Sequence, residues 1–224
     1  MFEQTENSGL WVPSARLQEY VMSVDDLMEK EVSPIKWVIP GILPEGFTVL
    51  ASKPKVGKST LSLDTAIAVA RQESLLGLND HEPLHGRTLY IALDDTQINR
   101  AQERMQRRIG TEGRPALMNY SVKWPRDYDK ALDYLEEFIT TSPEPVEVII
   151  IDVLQKFIPE YKEDAGAYQK LQTYLPPLRE LAQKYHVALV GLMHTTKNED
   201  RGGDWTSAIY GNTAVLAEAD NILG

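Results

Sequence analysis

One stretch decides the fold of this chain: Gly46-Phe47-Thr48-Val49-Leu50-Ala51-Ser52-Lys53-Pro54-Lys55-Val56-Gly57-Lys58-Ser59-Thr60. Its apolar first part, 46–51, is typical of a buried strand, and the segment that follows it, 61–71, is typical of a helix. A strand, a tight loop that ends in Gly-Lys-Ser and then a helix are the context that a phosphate-binding loop requires. The alternative, a chance Gly-Lys-Ser after a strand, does not explain why order, flanks and spacing all agree. The sequence therefore predicts a site for nucleotide phosphates in this segment.

The pattern gives a role to several residues of the loop. Backbone N–H groups of the loop and of the helix N-terminus point inward and favour negative charge. Lys58 would reach the β- and γ-phosphates, and the hydroxyl of Ser59 would ligate Mg²⁺. Ser52 replaces the usual first glycine, whereas Gly57 is present where the backbone must come closest to the phosphates. We predict that the nucleotide is bound by Ser52, Lys53, Pro54, Lys55, Val56, Gly57, Lys58, Ser59 and Thr60.

The bulk composition is that of an ordinary globular protein. The chain has 224 residues, of which 42% are hydrophobic and 25% are charged, and this length is enough for one α/β domain. No apolar run approaches the roughly 20 residues of a membrane span, and the polar, acidic first residues are unlike a secretory signal. Without cysteine there is no disulfide framework and no thiolate metal site. We expect a cytoplasmic protein that does not contact a membrane.

The net charge of −10 bears on nucleic-acid binding. A strongly acidic chain binds duplex DNA poorly when only its average charge is considered. A local basic patch, or a channel that forms on oligomerisation, is compatible with this charge.

The sequence divides into an arm and one larger domain. We assign 1–35 to an N-terminal arm with a short helix capped by Ser23. The segment 31–45 contains three prolines and predicts an extended strap that leads to the first strand. We assign 36–224 to one domain. Because a further strand begins at 222–224, we expect this domain to be truncated at its C-terminal end.

Strands and helices alternate from Phe47 onward. After the first strand, the predicted strands are 88–93, 146–151 and 187–193, with a short one at 120–122. The predicted helices are 61–71, 97–109, 127–140 and 167–185, and the last pattern is interrupted at Pro176-Pro177. Two-sided apolar strands that alternate with helices predict an α/β fold with a mainly parallel twisted sheet and helices on both faces.

A second motif ends the strand at 146–151. Four apolar residues, Val148-Ile149-Ile150-Ile151, precede Asp152, which is the Walker B pattern. At the carboxyl end of a strand, Asp152 would hold Mg²⁺ through water, together with Ser59. Taken alone this pattern is weak, because a buried strand can also end in an aspartate that caps a helix. Paired with the phosphate-binding loop, it predicts a metal site.

A strand at 88–93 lies between these two motifs and ends in Asp94-Asp95. This order is typical of the P-loop ATPases in which an extra strand carries the acid that activates water. That acid is usually Glu, and Asp94 is shorter by one methylene, or about 1.5 Å. A misplacement of this size can cost on the order of a hundredfold in rate. Either the backbone compensates, Asp95 assists, or hydrolysis is slow; alternatively both acids cap the next helix.

Taken together, these motifs identify a family. The stretches 37–41, 43–46, 53–59, 93–96 and 151–155, followed by His194-Thr195-Thr196-Lys197, resemble the RepA-type branch of the RecA-like ATPases. This branch occurs in plasmids, phages and mobile elements and includes hexameric replicative helicases. The resemblance covers about 33–224 and implies a RecA-like P-loop NTPase core that hydrolyses ATP with Mg²⁺. It further implies a homo-oligomeric ring, a hexamer, that acts as a DNA helicase on single-stranded DNA in replication.

The resemblance also assigns roles after the strand at 187–193. His194 would be a polar sensor that contacts the γ-phosphate or the attacking water, and Lys58, Asp94 and His194 would form the catalytic set. The segment 195–212 would be a loop that lines the central hole, where Lys197, Arg201 and Trp205 would contact DNA. The alternatives are a hydrogen-bonded structural histidine and a solvated surface loop, because three acidic residues nearly cancel the charge of this loop.

Four arginines lie at helical spacing in the predicted helix 97–109: Arg100, Arg104, Arg107 and Arg108. Such a stripe is usually a solvated face, and a contact between subunits is the alternative. The family implies an arginine finger from a neighbouring subunit, but the sequence does not assign one.

Three functions follow from these patterns. The leading hypothesis is an ATP-hydrolysing motor on single-stranded DNA. The second is a nucleotide-dependent switch or assembly ATPase with slow hydrolysis, which the acidic charge and Asp94 favour. The third, a small-molecule phosphotransferase, predicts an arginine-bearing lid, and the sequence has no clear one.

Overall fold

The computed structural model describes residues 13–78, 80–159, 167–195, 205–209 and 212–224. They belong to two units, Met1–Pro34 and Ile35–Gly224. In the first unit, helix α1 spans Val24–Glu29. The Ser23 hydroxyl accepts a 3.0 Å hydrogen bond from the Asp26 N–H, and the Asp26 carboxylate accepts one from the Ser23 N–H. This reciprocal cap is the N-terminal signal expected of Ser23.

The second unit begins with a small antiparallel pair, β1 (Trp37–Ile39) and β2 (Leu43–Pro44). The predicted extended strap therefore folds back on itself before the main sheet starts. The pairing is stabilised by burial, since Val38 and Ile39 are completely inaccessible to solvent.

The main sheet has six strands, and every pair of neighbours in it is parallel. Its order is β5-β4-β6-β7-β3-β8. The strands are β3 (Gly46–Ser52), β4 (Arg87–Ala92), β5 (Met118–Ser121), β6 (Val146–Asp152), β7 (Ala188–His194) and β8 (Asn221–Leu223). The predicted α/β fold with a parallel sheet is thereby confirmed. The short strand predicted at 120–122 begins two residues earlier, at Met118.

Helices cover both faces of this sheet, as predicted. They are α2 (Lys58–Arg71), α3 (Ile98–Ile109), α4 (Tyr128–Thr141), α5 (Leu154–Phe157), α6 (Ala167–Tyr185) and α7 (Asn212–Glu218). Short 3₁₀ turns span Leu75–Gly77 and Trp205–Ala208. In the part of the chain that is described, no helix has both the length and the apolar character needed to cross a membrane.

The core consists of two clusters, one on each side of the sheet. On one side, Phe47 and Val49 of β3 belong to the cluster that includes residues of α4 and α6. On the other side, Leu50 belongs with residues of α2 and the β1–β2 pair. Alternate residues of one strand thus belong to opposite clusters, as expected of a strand that is buried on both faces.

The interruption predicted in α6 is wrong. The helix runs without a break through Pro176 and Pro177. Proline removes a backbone donor and usually kinks a helix, but Leu171, Leu175 and Leu178 are all buried in the core. Their packing holds the helix in one piece where local propensity would have ended it.

Parallel strands bring their carboxyl ends to one edge of the sheet, and the strand register fixes which residues meet there. Ser52 at the end of β3 is paired with His194 at the end of β7. Ala92 at the end of β4 is paired with Asp152 at the end of β6. The motifs found separately in the sequence therefore reach a common edge, where ligands bind in open α/β sheets.

Candidate nucleotide-binding site

The loop between β3 and α2 has the backbone of a phosphate cradle. Gly57 has φ +107° and precedes the first residue of the helix, and the Leu61 N–H donates to its carbonyl at 2.9 Å. This φ favours glycine, since L-residues rarely adopt it. No side chain caps the N-terminus of α2. Its first N–H groups are therefore available to an anion.

Lys58 folds back over the loop that precedes it. Its ammonium donates hydrogen bonds to the carbonyl oxygens of Ser52, at 2.7 Å, and Lys53, at 3.1 Å. Only 8% of Lys58 is exposed. Burial lowers its pKa below the ordinary value, and the negative charge of Asp152 acts in the opposite direction. The cation is thus held at the loop by backbone carbonyls, contacts that a phosphate can replace.

His194 joins the same cluster from β7. Its Nδ1 lies 3.3 Å from the Lys58 ammonium, and the N–H of Thr195 donates to the Ser52 carbonyl at 3.2 Å. The structure therefore brings His194 and Lys58 into direct contact at the loop. Its assignment as a sensor stays a prediction.

Asp152 is linked to the loop through a side chain that the sequence analysis missed. The Tyr90 hydroxyl donates to Oδ2 of Asp152 at 2.6 Å and lies 3.3 Å from the Ser59 carbonyl. Both Tyr90 and Asp152 are buried. One hydroxyl thus reaches the two residues predicted to hold the metal. In the sequence, the only indication of this contact is that Tyr90 carries a hydroxyl within the otherwise apolar run of β4.

The donor set of this pair fits Mg²⁺. A serine hydroxyl and a carboxylate are the hard oxygen ligands that this ion prefers. The hydrogen bond from Tyr90 occupies Oδ2 of Asp152, and no donor to Oδ1 is found among the described residues. Ser59 and Asp152 would hold the ion, which would supply charge neutralisation between the β- and γ-phosphates.

The two acids after β4 separate. Asp94 pairs with Lys156 of α5, with 2.7 Å between Oδ1 and Nζ, and both side chains are about half exposed. Asp95 instead pairs with Arg104 at 3.2 Å and lies 3.5 Å from the Gln97 N–H at the start of α3. The alternative in which an acid caps the next helix therefore applies to Asp95. Asp94 is left as the candidate for activation of water.

The backbone ties Asp94 to Asp152. The N–H groups of Leu93 and Asp94 both donate to the carbonyl of Asp152, at 2.5 and 3.2 Å. Lys156, which pairs with the Asp94 carboxylate, lies four residues beyond Asp152. Lys156 was also missed, because nothing in the local sequence relates it to Asp94.

The arginine stripe of α3 borders a cavity of about 470 Å³ that reaches Thr60. Exposure of these side chains varies, from 80% for Arg107 to 30% for Arg104. Arg108 forms an ion pair with Asp64 of α2. The stripe is therefore a solvated face at Arg107 and a structural contact at Arg108.

The predicted DNA loop is mostly outside the described residues. Lys197 and Arg201 lie there, and Trp205 begins a described 3₁₀ turn but its side chain is not described. Within the predicted segment 195–212, an isolated antiparallel bridge joins Thr195 to Ile209.

Comparisons with known proteins agree with this geometry. A family model described as AAA domain matches residues 13–200. The chain belongs to the AAA domain family. This AAA-domain chain is accordingly an ATP-binding ATPase, and its fold is RecA-like. No significant match was found among curated proteins.

Among solved structures, the AAA-domain chain resembles the ATPase domain of G40P, with a TM-score of 0.54. The two share 14% of their sequence, and the alignment covers 80% of this chain and 68% of that one. At this identity the likeness concerns the fold alone.

Proposed function

We propose that this AAA-domain protein is a Mg-ATP-dependent motor of the RepA type that acts on single-stranded DNA in plasmid or phage replication. Residues 36–224 would form its ATPase domain, and copies would assemble in the cytoplasm as a hexameric ring. The observation that carries the nucleotide chemistry is the Tyr90 hydroxyl, which reaches both Ser59 and Asp152. This hydroxyl links the phosphate-binding loop to the Walker B aspartate, and a metal ion that bridges the phosphates needs both groups close together.

Hydrolysis would use three groups of the chain. The water oxygen attacks the γ-phosphorus, and the bond from that phosphorus to the bridging β,γ-oxygen breaks, giving ADP and phosphate. Asp94 accepts the proton of the attacking water. Lys58 stabilises negative charge on the β- and γ-phosphate oxygens, and His194 hydrogen-bonds to the γ-phosphate or to the water.

Asp94 must leave Lys156 to do this. The ion pair is half exposed, and such pairs contribute only about 0–1 kcal/mol. Release is therefore inexpensive in free energy. The short reach of Asp94 compared with Glu supports a slow basal rate, which assembly or DNA would raise.

A ring explains how one subunit's site is completed. Lys58 is the cation that the described structure brings onto the loop carbonyls. Phosphoryl transfer commonly uses a second positive group, an arginine finger from a neighbour. A second copy of this chain would supply it, and Mg-ATP would then promote assembly.

One alternative function has its own support. A nucleotide-dependent switch without motor activity is favoured by the net charge of −10 and by Asp94 in place of Glu. It predicts ATP binding and assembly with little response to DNA.

The deciding experiment measures ATPase rate with and without oligo(dT), and mass in solution with and without Mg-ATP. The motor predicts severalfold stimulation and a nucleotide-dependent increase in mass. The Lys58→Ala variant is the control that should lose both responses. Assembly without stimulation would support the switch, whereas a wild-type protein that neither hydrolyses ATP nor assembles would overturn both readings.

A further inference from the structure

A second cavity, of about 630 Å³, lies at the same edge of the sheet as the nucleotide site. The residues around it follow the carboxyl ends of β4, β5 and β6. The phosphate-binding loop follows β3, which is separated from β4 by β6 and β7 in the sheet. This cavity therefore lies in the other half of the edge from the phosphate-binding loop, and Asp94 is the lining residue that it shares with the proposed hydrolysis site.

The charge of this cavity is opposite to that of the whole chain. Lys123, Arg126 and Lys156 line it, and Asp94 is the one acid among the lining residues that the structure describes. Neither Lys123 nor Arg126 forms an ion pair within the part of the chain that is described. Among these described residues, three cations face one carboxylate in a protein of net charge −10, and this excess favours binding of a polyanion.

An aromatic ring is fixed in the same wall. The indole N–H of Trp124 donates to the Ala131 carbonyl at 3.2 Å. The ring also packs edge-on against Tyr134, with 6.4 Å between ring centroids and 87° between planes. Trp124 is only partly buried, so a ring of fixed orientation stands beside the cations. Cations and a fixed aromatic side chain are the pairing that binds phosphates and bases of a single strand.

An acceptor without a partner completes the lining. Oε1 of Gln155 is buried and has no hydrogen-bond partner among the described residues. Leaving such a group unpaired costs about 1–3 kcal/mol. Gln155 lines the cavity, but its Oε1 is itself buried, so an exocyclic amino group of a nucleobase would reach this carbonyl only after the side chain turns. An acidic peptide such as polyglutamate would satisfy the cations but has no ring to lie beside Trp124.

We propose that this cavity binds single-stranded nucleic acid, with its phosphates on Lys123 and Arg126 and a base beside Trp124. The inference rests on the motor function proposed above, because it supplies the surface on which that motor holds its strand. Lys156 is shared between the cavity and Asp94. A phosphate that binds Lys156 competes with the Asp94 carboxylate, so strand binding and release of Asp94 are linked.

The test compares charge deletions beyond the two ends of β5. Arg126 lies after the carboxyl end of this strand, whereas Arg114 lies before its amino end, and both are exposed. Fluorescence anisotropy of labelled oligo(dT) would be measured with the wild-type protein, Lys123→Ala/Arg126→Ala and Arg114→Ala, without nucleotide. Thermal unfolding of each variant reports whether it is folded.

The double variant should bind oligo(dT) at least about tenfold more weakly. Its slope of log affinity against log salt should fall by about 1.4, because each phosphate contact on a single strand contributes about 0.7. Arg114→Ala should bind as the wild type does.

Three results would overturn the proposal: equal binding by the double variant and the wild type, an equal loss in Arg114→Ala, or displacement of oligo(dT) by polyglutamate of the same charge. The last result would assign the cavity to an acidic peptide. Because the assay contains no nucleotide, it is independent of the ATPase. If the double variant loses binding and the wild-type protein hydrolyses no ATP, the results would support the cavity as a strand-binding site and refute the motor. If the wild-type protein hydrolyses ATP and the double variant still binds oligo(dT) normally, the results would support the motor and refute the cavity.

Discussion

Tyr90 holds the carboxylate of Asp152 from inside the sheet, with 2.6 Å between its hydroxyl and Oδ2. Burial raises the pKa of Tyr90 well above its usual value, and the charge of Asp152 raises it further. The phenol therefore keeps its proton at any working pH and remains a donor. A hydrogen bond of this kind would orient Asp152 as a metal ligand, as the outer partners of metal sites do.

Replacing Tyr90 by Phe should weaken metal use without unfolding the protein. The carboxylate of Asp152 would lose its fixed orientation, and the Mg²⁺ concentration for half-maximal binding of a fluorescent ATP analogue should rise about tenfold or more. Tyr128→Phe is the matched control, since that hydroxyl donates to the Tyr174 carbonyl in the other core cluster. An equal Mg²⁺ requirement in both variants would contradict the positioning role of Tyr90.

Lys58→Met should raise thermal stability while it removes nucleotide binding. Because burial lowers the pKa of Lys58, its charged form is disfavoured in the folded state. The unfolded state thus binds more protons between the lowered pKa and the ordinary value of 10.5. The stability gain of the variant should be complete below the lowered pKa and should disappear as pH rises to the ordinary value. Melting curves across this range check the sign, and a variant that is less stable at neutral pH would refute it.

Asp94→Asn should reduce the maximal ATPase rate by on the order of a hundredfold, with little change in KM for ATP. The amide keeps the shape of the side chain but cannot accept the proton of water. Asp95→Asn is a stringent control, because it makes the same change in the adjacent residue, which pairs with Arg104 instead. Similar losses in both variants would mean that Asp94 acts through local structure.

Lys156→Met should uncouple the ATPase from nucleic acid. With its partner removed, Asp94 is free in every molecule, so the rate without oligo(dT) should rise severalfold. Addition of oligo(dT) should then stimulate the variant much less than the wild type. Steady-state rates across an oligo(dT) titration measure this effect. A variant that is stimulated as strongly as the wild type would disprove the competition between a phosphate and Asp94 for Lys156.

Gly46→Ala should destabilise the fold through the start of β3. Gly46 has φ +96°, and an added Cβ would lie 2.7 Å from Oδ2 of Asp220, which accepts from the Phe47 N–H. Gly77→Ala has a similar backbone cost, at φ +74°, but its Cβ would meet no atom within 4 Å. Strain alone costs about 1–2 kcal/mol, so Gly46→Ala should exceed Gly77→Ala in urea unfolding. Equal losses in the free energy of unfolding would show that Asp220 makes no steric contribution.

The sequence predicted the parts of this protein that are written in contiguous residues. The loop that ends at Lys58 and Ser59 and the strand that ends at Asp152 are local patterns, and their strand and helix contexts are local as well. The break at Pro176 was predicted by the same local reasoning, and it failed because core packing of the α6 leucines outweighs the lost backbone donors.

Tyr90 and Lys156 show what local patterns do not carry. Each contacts its partner, Asp152 or Asp94, across 62 residues of sequence. Such contacts exist only once the order of strands in the sheet is known. The β1–β2 pair was missed for a related reason, because strands of three and two residues are specified by the partner they meet.

The two amides that share the Asp152 carbonyl make a short mechanical link. A shift of the Asp152 backbone, by even a fraction of the width of an atom, displaces Leu93 and Asp94 with it. The residue proposed to bind the metal, Asp152, and the residue proposed to deprotonate water, Asp94, therefore share one backbone contact. Loss of the terminal phosphate would be felt at both ends of this link at once, and α5, which starts two residues after Asp152, would carry the displacement outward.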